Sequence, residues 1–202
     1  MHRSSVFKAP QLKARVDGGF VLLLSLLLFF DEGGVLAAAV PAVSVHELCH
    51  AAAMRLYGAY PTRLHASLSG FALDYAGSVS RRALALTALA GPLGGLLFAL
   101  LCALSGRALN SEYLYVCAGL GVVLNLFNLL PALPLDGGVL LQSILESCLG
   151  APRSRQTLCI LGFAVSAALL LWGLYFLHAG QGAALLMSGL WLAVLQRKHT
   201  CK

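Results

Sequence analysis

Long apolar runs separated by short charged gaps divide this chain almost by inspection. Gly18–Phe30 is apolar and is closed by Asp31-Glu32-Gly33-Gly34. A second run, Val35 to about Tyr57, carries one acid, Glu47, and two histidines. Ala83–Ser105 and Tyr113–Leu135 each hold 23 residues without a charge, and 41 uncharged residues lie between Arg155 and Arg197. That last stretch is long enough for a helical hairpin turning at His178-Ala179-Gly180-Gln181-Gly182. At about 20 apolar residues per membrane span, the pattern predicts six transmembrane helices. The first run is short, rising only about 20 Å as a helix, so it must borrow from its flanks or tilt little. It is read as a retained helix, because Asp31-Glu32 stands where a signal peptide needs small residues for cleavage.

Two stretches do not fit a span. Tyr60–Gly77 is too polar, and its alternation of Leu64, Ala66 and Leu68 with Phe71, Leu73 and Tyr75, broken at Ser69-Gly70, predicts a short hairpin. An unpaired sheet edge is not tolerated in lipid, so the hairpin is expected at the interface or against protein. Gly137–Leu149 reads as a short amphipathic surface helix before the last hairpin.

Composition strengthens this picture. The 202 residues are 59% apolar and 11% charged, where soluble domains average ~45–50% and ~25%. Two soluble domains, a disordered tail and a disulfide scaffold are thereby disfavoured. The net charge of +6 does not imply a nucleic-acid partner, because the basic residues sit in the gaps between apolar runs and not on one solvated face. With both termini cytoplasmic, all 14 lysines and arginines but Arg107 fall on the inner side, which sets the expected orientation. The six cysteines are scattered, without a CxxC pair, and are read as small reduced residues in apolar runs.

Ionisable residues within a span are costly and point to function. The second run contains His46-Glu47-Leu48-Cys49-His50. On a helix, residues four apart lie about 40° from one another around the axis, so His46 and His50 share a face and can reach one metal ion. Glu47 falls beside that face, where it can take a proton from water, and Cys49 points away. A catalytic zinc site usually has three protein ligands and one open position. The third is sought in Asn128-Leu-Leu-Pro131-Ala-Leu-Pro134-Leu-Asp136-Gly137-Gly138, where the prolines stop the fourth helix and the glycines permit a sharp turn. Asp136 is then held on a rigid, non-helical segment at the membrane side where the second helix ends. The competing reading makes Asp136 a helix N-cap. Gly91, Gly94 and Gly95 read as helix-packing positions, since no strand precedes them to form a phosphate loop.

HELCH together with NLLPALPLDGG resembles the site-2 protease family of intramembrane zinc metalloproteases, and Ala90-Gly91-Pro92 is similar to a motif of that family. The likeness runs over roughly Leu36–Val139 and is nearest to compact bacterial members without a PDZ domain, including the sporulation-type (stage IV) branch. It implies His46, His50 and Asp136 as ligands of one zinc ion, Glu47 as catalytic acid/base, and Asn128 as the polar group near the substrate carbonyl. Two departures stand out: Gly94-Gly95 replaces a polar residue that many members carry after Gly-Pro, and no CBS-type domain is expected after the last helix.

The expected molecule is an all-α integral membrane protein of about six transmembrane helices with a small interfacial β-hairpin. It forms a single membrane-embedded metalloprotease domain, residues 1–202, with a catalytic core at about 36–139 and a C-terminal helical hairpin at about 156–197. It is expected in a bacterial cytoplasmic membrane, cleaving a membrane-anchored protein within or next to its transmembrane segment near the cytoplasmic face. Its expected partners are that substrate, the lipid bilayer and a regulatory membrane protein. The alternative is a membrane metal transporter or a non-catalytic metal-binding membrane protein, against which stands the lack of an inverted repeat.

Overall fold

The computed structural model describes residues 13–17, 25, 29, 31, 34–67, 70–77, 79–180 and 182–199. Most of the first apolar run, Gly18–Phe30, lies outside the described residues. Among the described residues there are three strands and six helices: β1 (Lys13–Val16), α1 (Val35–Leu56), β2 (Tyr60–Ser67), β3 (Gly70–Ala76), α2 (Arg81–Leu109), α3 (Glu112–Asn128), α4 (Asp136–Leu149), α5 (Ala151–Leu177) and α6 (Ala183–His199). Helices α1, α2 and α5, with 22, 29 and 27 residues, are long and apolar enough to cross a membrane, and α3 is a shorter apolar helix. The α5–α6 hairpin and the separate helix α4 stand where the sequence pattern put them.

Local chemistry sets the ends of these helices. The Asp31 carboxylate accepts from the amides of Val35 and Leu36 at 2.8 and 2.9 Å, satisfying two donors that open α1. Ser80 caps α2 by accepting from the Ala83 amide at 3.2 Å. Asn110 ends α2 in the left-handed region at φ 51°, a conformation asparagine adopts more readily than most residues.

As expected from its prolines, the uncharged run Tyr113–Leu135 is not one helix: α3 stops at Asn128, and a non-helical segment follows to Leu135. Absence of charge marks apolar surroundings, but it does not mark helix, and Pro131 and Pro134 deny the segment two amide donors. Asp136 is not held on that non-helical segment but opens α4, and Leu135 is the N-cap, so the cap reading of Asp136 also fails. Gly137 and Gly138 are not turn residues but lie in the first turn of α4. A Cβ on Gly137 would stand 2.1 Å from the Leu129 carbonyl oxygen, and one on Gly138 2.5 Å from the Ala132 carbonyl carbon. These glycines let the helix start directly against the preceding segment.

The hairpin is present, β2 pairing antiparallel with β3 in a register that sets Leu64 opposite Leu73. It is not alone: β1 pairs in parallel with β2, giving a mixed sheet of order β1-β2-β3. Four residues ahead of a long apolar run carry too little alternation to announce a strand.

Helix α2 packs against α1, α3 and α4, while α5 packs against α4 and α6. The buried contacts are made by small side chains: Ala38, Cys102, Cys117 and Ala118 form one cluster, and Ala99 meets Gly121 across α2 and α3. Leu93, Leu97, Leu100, Leu101 and Leu104 of α2 face outward instead. Small residues between helices and large apolar ones outside are the arrangement expected where the solvent is lipid. Cys49, Cys102, Cys117 and Cys148 are free thiols. Cys159 is disulfide-bonded, which corrects the reading of all six cysteines as reduced. Its position inside an apolar run gave no spacing signal for a pair.

Candidate metal centre

His46 and His50 lie one turn apart on α1, and Asp136 approaches them from the start of α4. The Asp136 Oδ2 atom is 3.2 Å from His46 Nε2 and 3.2 Å from His50 Nε2, and the two Nε2 atoms are 3.1 Å apart. The rings meet edge to face at 83°.

The outer nitrogens of the rings fix what these inner atoms are. His50 Nδ1 lies 2.8 Å from the Thr87 carbonyl oxygen, which can only accept, so this nitrogen carries a proton. His46 Nδ1 lies 2.8 Å from Asn125 Oδ1. The Asn125 amide is oriented by its own nitrogen, which donates to the Gly121 carbonyl at 2.6 Å, so its oxygen faces His46 as an acceptor. Both imidazoles, when neutral, therefore turn Nε2 lone pairs towards one another and towards a carboxylate oxygen. Three acceptors in a triangle of 3.1–3.2 Å edges repel unless a cation lies among them. Four-coordinate zinc, with bonds of about 2.0–2.1 Å, spaces its ligand atoms about 3.3 Å apart. The donor set and its dimensions fit zinc.

The surrounding packing explains why the rings stand there. A Cβ on Gly91 would lie 2.1 Å from His50 Nε2, and one on Gly95 would lie 2.3 Å from the Asn125 amide. The glycines of α2 are thus the space occupied by the site, and Gly94 likewise accommodates Cys49 Sγ. The expectation that they serve helix packing is met. Their more specific task, clearance for His50 and Asn125, was not readable from spacing alone.

Glu47 is half-buried and within electrostatic reach of His46, His50 and Asp136. Cys49, packed on Gly94, is not in the donor cluster. Asn128 is half-buried in the last turn of α3, and its Nδ2 donates to the Leu124 carbonyl at 3.0 Å. The structure thus brings His46, His50 and Asp136 together with Glu47 alongside, while Asn128 is engaged within its own helix. Asn125 and Thr87 were missed as supports of the two histidines. Asn125 stood as a lone amide inside an uncharged run, which is a signal of the same kind that drew attention to Glu47. Thr87 acts through its backbone carbonyl, which no sequence signal marks.

The family model described as Peptidase family M50 matches residues 107–172, from the last turn of α2 through most of α5. This interval contains Asp136 and the supporting Asn125. Among solved structures, the site-2 protease from Methanocaldococcus jannaschii shares the fold with a TM-score of 0.72 and 22% identity, covering 96% of this chain and 94% of that one. No curated protein sequence matches the chain. The chain thus shares the fold of that site-2 protease, and the segment carrying Asp136 resembles Peptidase family M50. With three helices able to cross a membrane, it is an integral membrane protein.

Proposed function

From the shared fold and the M50 resemblance around Asp136, we propose that the chain is an intramembrane zinc endopeptidase that cuts a membrane-anchored protein within or next to its transmembrane segment, near the cytoplasmic face. The observation that carries this reading is the triangle of three acceptor atoms from His46, His50 and Asp136, each histidine locked in the tautomer a metal requires. Two neutral imidazoles and one carboxylate leave a bound divalent ion with a net charge of about +1. Zinc held there supplies a Lewis acid that acidifies the attacking water and polarises the scissile carbonyl.

The remaining work falls to side chains. Glu47, beside the donor triangle and not part of it, takes the proton of the attacking water and returns it to the leaving amine. Asn128 is the proposed donor to the developing oxyanion. Its amide nitrogen has two protons and only one is used on Leu124, so the second is available.

A helical substrate conceals its peptide bonds in its own i→i−4 hydrogen bonds and must be unwound before attack. The mixed sheet offers a means of holding the extended product of that unwinding. Because β1 covers the outer side of β2, the edge of the hairpin left open among the described residues is that of β3, and strand addition there would support an extended substrate. On this reading the regulatory step is whatever delivers an unwound segment to β3, and a second membrane protein is the natural agent of it.

Replacing Glu47 with Gln tests the assignment. The variant is expected to retain zinc and to lose cleavage of a membrane-anchored substrate by ~100-fold or more, the scale of general acid–base catalysis. Normal cleavage by Glu47→Gln would overturn the role given to this residue.

A further inference from the structure

The C-terminal helix has a feature that neither the metal triangle nor the proposed chemistry uses. Gln196 of α6 is fully buried at 0% exposure, an unusual place for a carboxamide in an apolar bundle. Its Nε2 donates to the carbonyl oxygen of Leu133. Leu133 belongs to the non-helical segment between α3 and α4, three residues before Asp136. One turn earlier on α6, Leu192 is also fully buried and packs with Ala132 and Leu135 of that segment. The route from α6 to the segment passes α5 at Gly162, where a Cβ would stand 2.3 Å from Gln196 Cδ.

These contacts have one target. Pro131 and Pro134 carry no amide proton, so the segment has fewer internal bonds than a helix of the same length. Its own bonds are Ala132 N to Leu130 O at 2.8 Å and Leu135 N to Ala132 O at 2.9 Å, which leave the Leu133 carbonyl to an outside donor. A carbonyl unsatisfied in an apolar interior is costly, so the segment is drawn to the one geometry in which Gln196 meets it. That geometry sets where α4 begins, and hence where the Asp136 carboxylate stands relative to the two histidines.

We infer that Gln196 is a positioning residue for the third metal ligand: through Leu133 it fixes the Asp136 segment, making the C-terminal helix part of the machinery that holds the ion. The inference rests on the proposed metal site. It extends that site to a helix outside both the M50 match and the HELCH and NLLPALPLDGG motifs.

The test is zinc affinity of the full chain in detergent, by chelator competition, set beside thermal unfolding of the metal-free protein. Gln196→Met keeps length and apolar volume but removes the donor. It is expected to weaken zinc binding by about tenfold, at the low end of the range for residues that orient ligands, while the metal-free unfolding temperature stays within a few degrees of the parent. Gly162→Ala, which leaves Gln196 in place but crowds its amide, is expected to weaken zinc binding in the same direction. Gln196→Asn, one methylene too short for Leu133, should resemble the methionine variant.

Asp136→Ala serves as the reference. If it loses zinc while Gln196→Met and Gly162→Ala bind as tightly as the parent, the positioning role is wrong and the metal site stands. If Asp136→Ala also keeps its zinc, the site itself has been misassigned. A fall in metal-free stability with unchanged zinc affinity would likewise overturn the inference, reducing Gln196 to a packing residue.

Discussion

At the scale of single residues, the side chain that decides the chemistry of His46 is Asn125. It is fully buried, accepts from the imidazole on one side and donates to the Gly121 carbonyl on the other. A glutamine or histidine there could flip or change tautomer, but the Gly121 bond gives the asparagine one orientation. Removing the acceptor without changing volume leaves the His46 Nδ1 proton unpaired in an apolar interior, a penalty of about 1–3 kcal/mol. Asn125→Leu is therefore expected to bind zinc about 10–100-fold more weakly than the parent, read by chelator competition. An unchanged affinity would show that the ring is oriented by packing alone.

The three clustered donor residues were legible from the sequence, because a charged or metal-binding side chain is conspicuous in a lipid-soluble run. The support of His50 was not, since a Thr87 backbone carbonyl looks the same at every position until the helices are assembled. Asn125 falls between these cases: visible as a polar residue in an apolar run, but overshadowed by Asn128 one turn on.

Among elements, α2 is the helix whose surface is shaped by what it must admit. Gly91, Gly94 and Gly95 face His50, Cys49 and Asn125 with no room for a methyl group. Gly91→Ala would force His50 away from the donor triangle, since its new carbon would lie 2.1 Å from Nε2. The expected result is a protein of parental helix content by circular dichroism that has lost most of its zinc and its cleavage activity. Gly119→Ala on α3 has open space around it and should leave both unchanged.

The glycine cluster was visible in the sequence as a packing surface, but which residues it packed on depended on how α1 and α3 are rotated. The same holds for Gly137 and Gly138. Paired glycines after a proline-rich segment suggest a turn, and their use as clearance for the Leu129 and Ala132 backbone emerges only from the contact itself. Parallel pairing of β1 with β2 joins segments more than 40 residues apart in the chain, and local pattern carries no trace of that.

For the whole molecule, the span pattern and the inside-out distribution of side-chain size agree on a membrane protein, while the direction of insertion rests on charge. Residues near Arg82 are expected on the cytoplasmic side and those near Glu112, past Arg107, on the other. In a background without other cysteines, Glu112→Cys should react with a membrane-impermeant maleimide in intact cells, and Arg82→Cys only after the membrane is opened. Both positions are exposed. The reverse pattern would place Glu47 and Asp136 on the outer face and relocate the cleavage site with them.

Two of the three donors ride on α1 and the third on α4, two helices that make their main contacts through α2 and not with each other. An ion seated among them would therefore join two helices that otherwise meet chiefly through α2. Any tilt that carries one helix away from the other pulls the triangle open at a single vertex, the aspartate. Under the proposed function, competence for catalysis would follow the spacing of these two helices, and whatever squeezes or spreads the bundle at that level would act as its throttle.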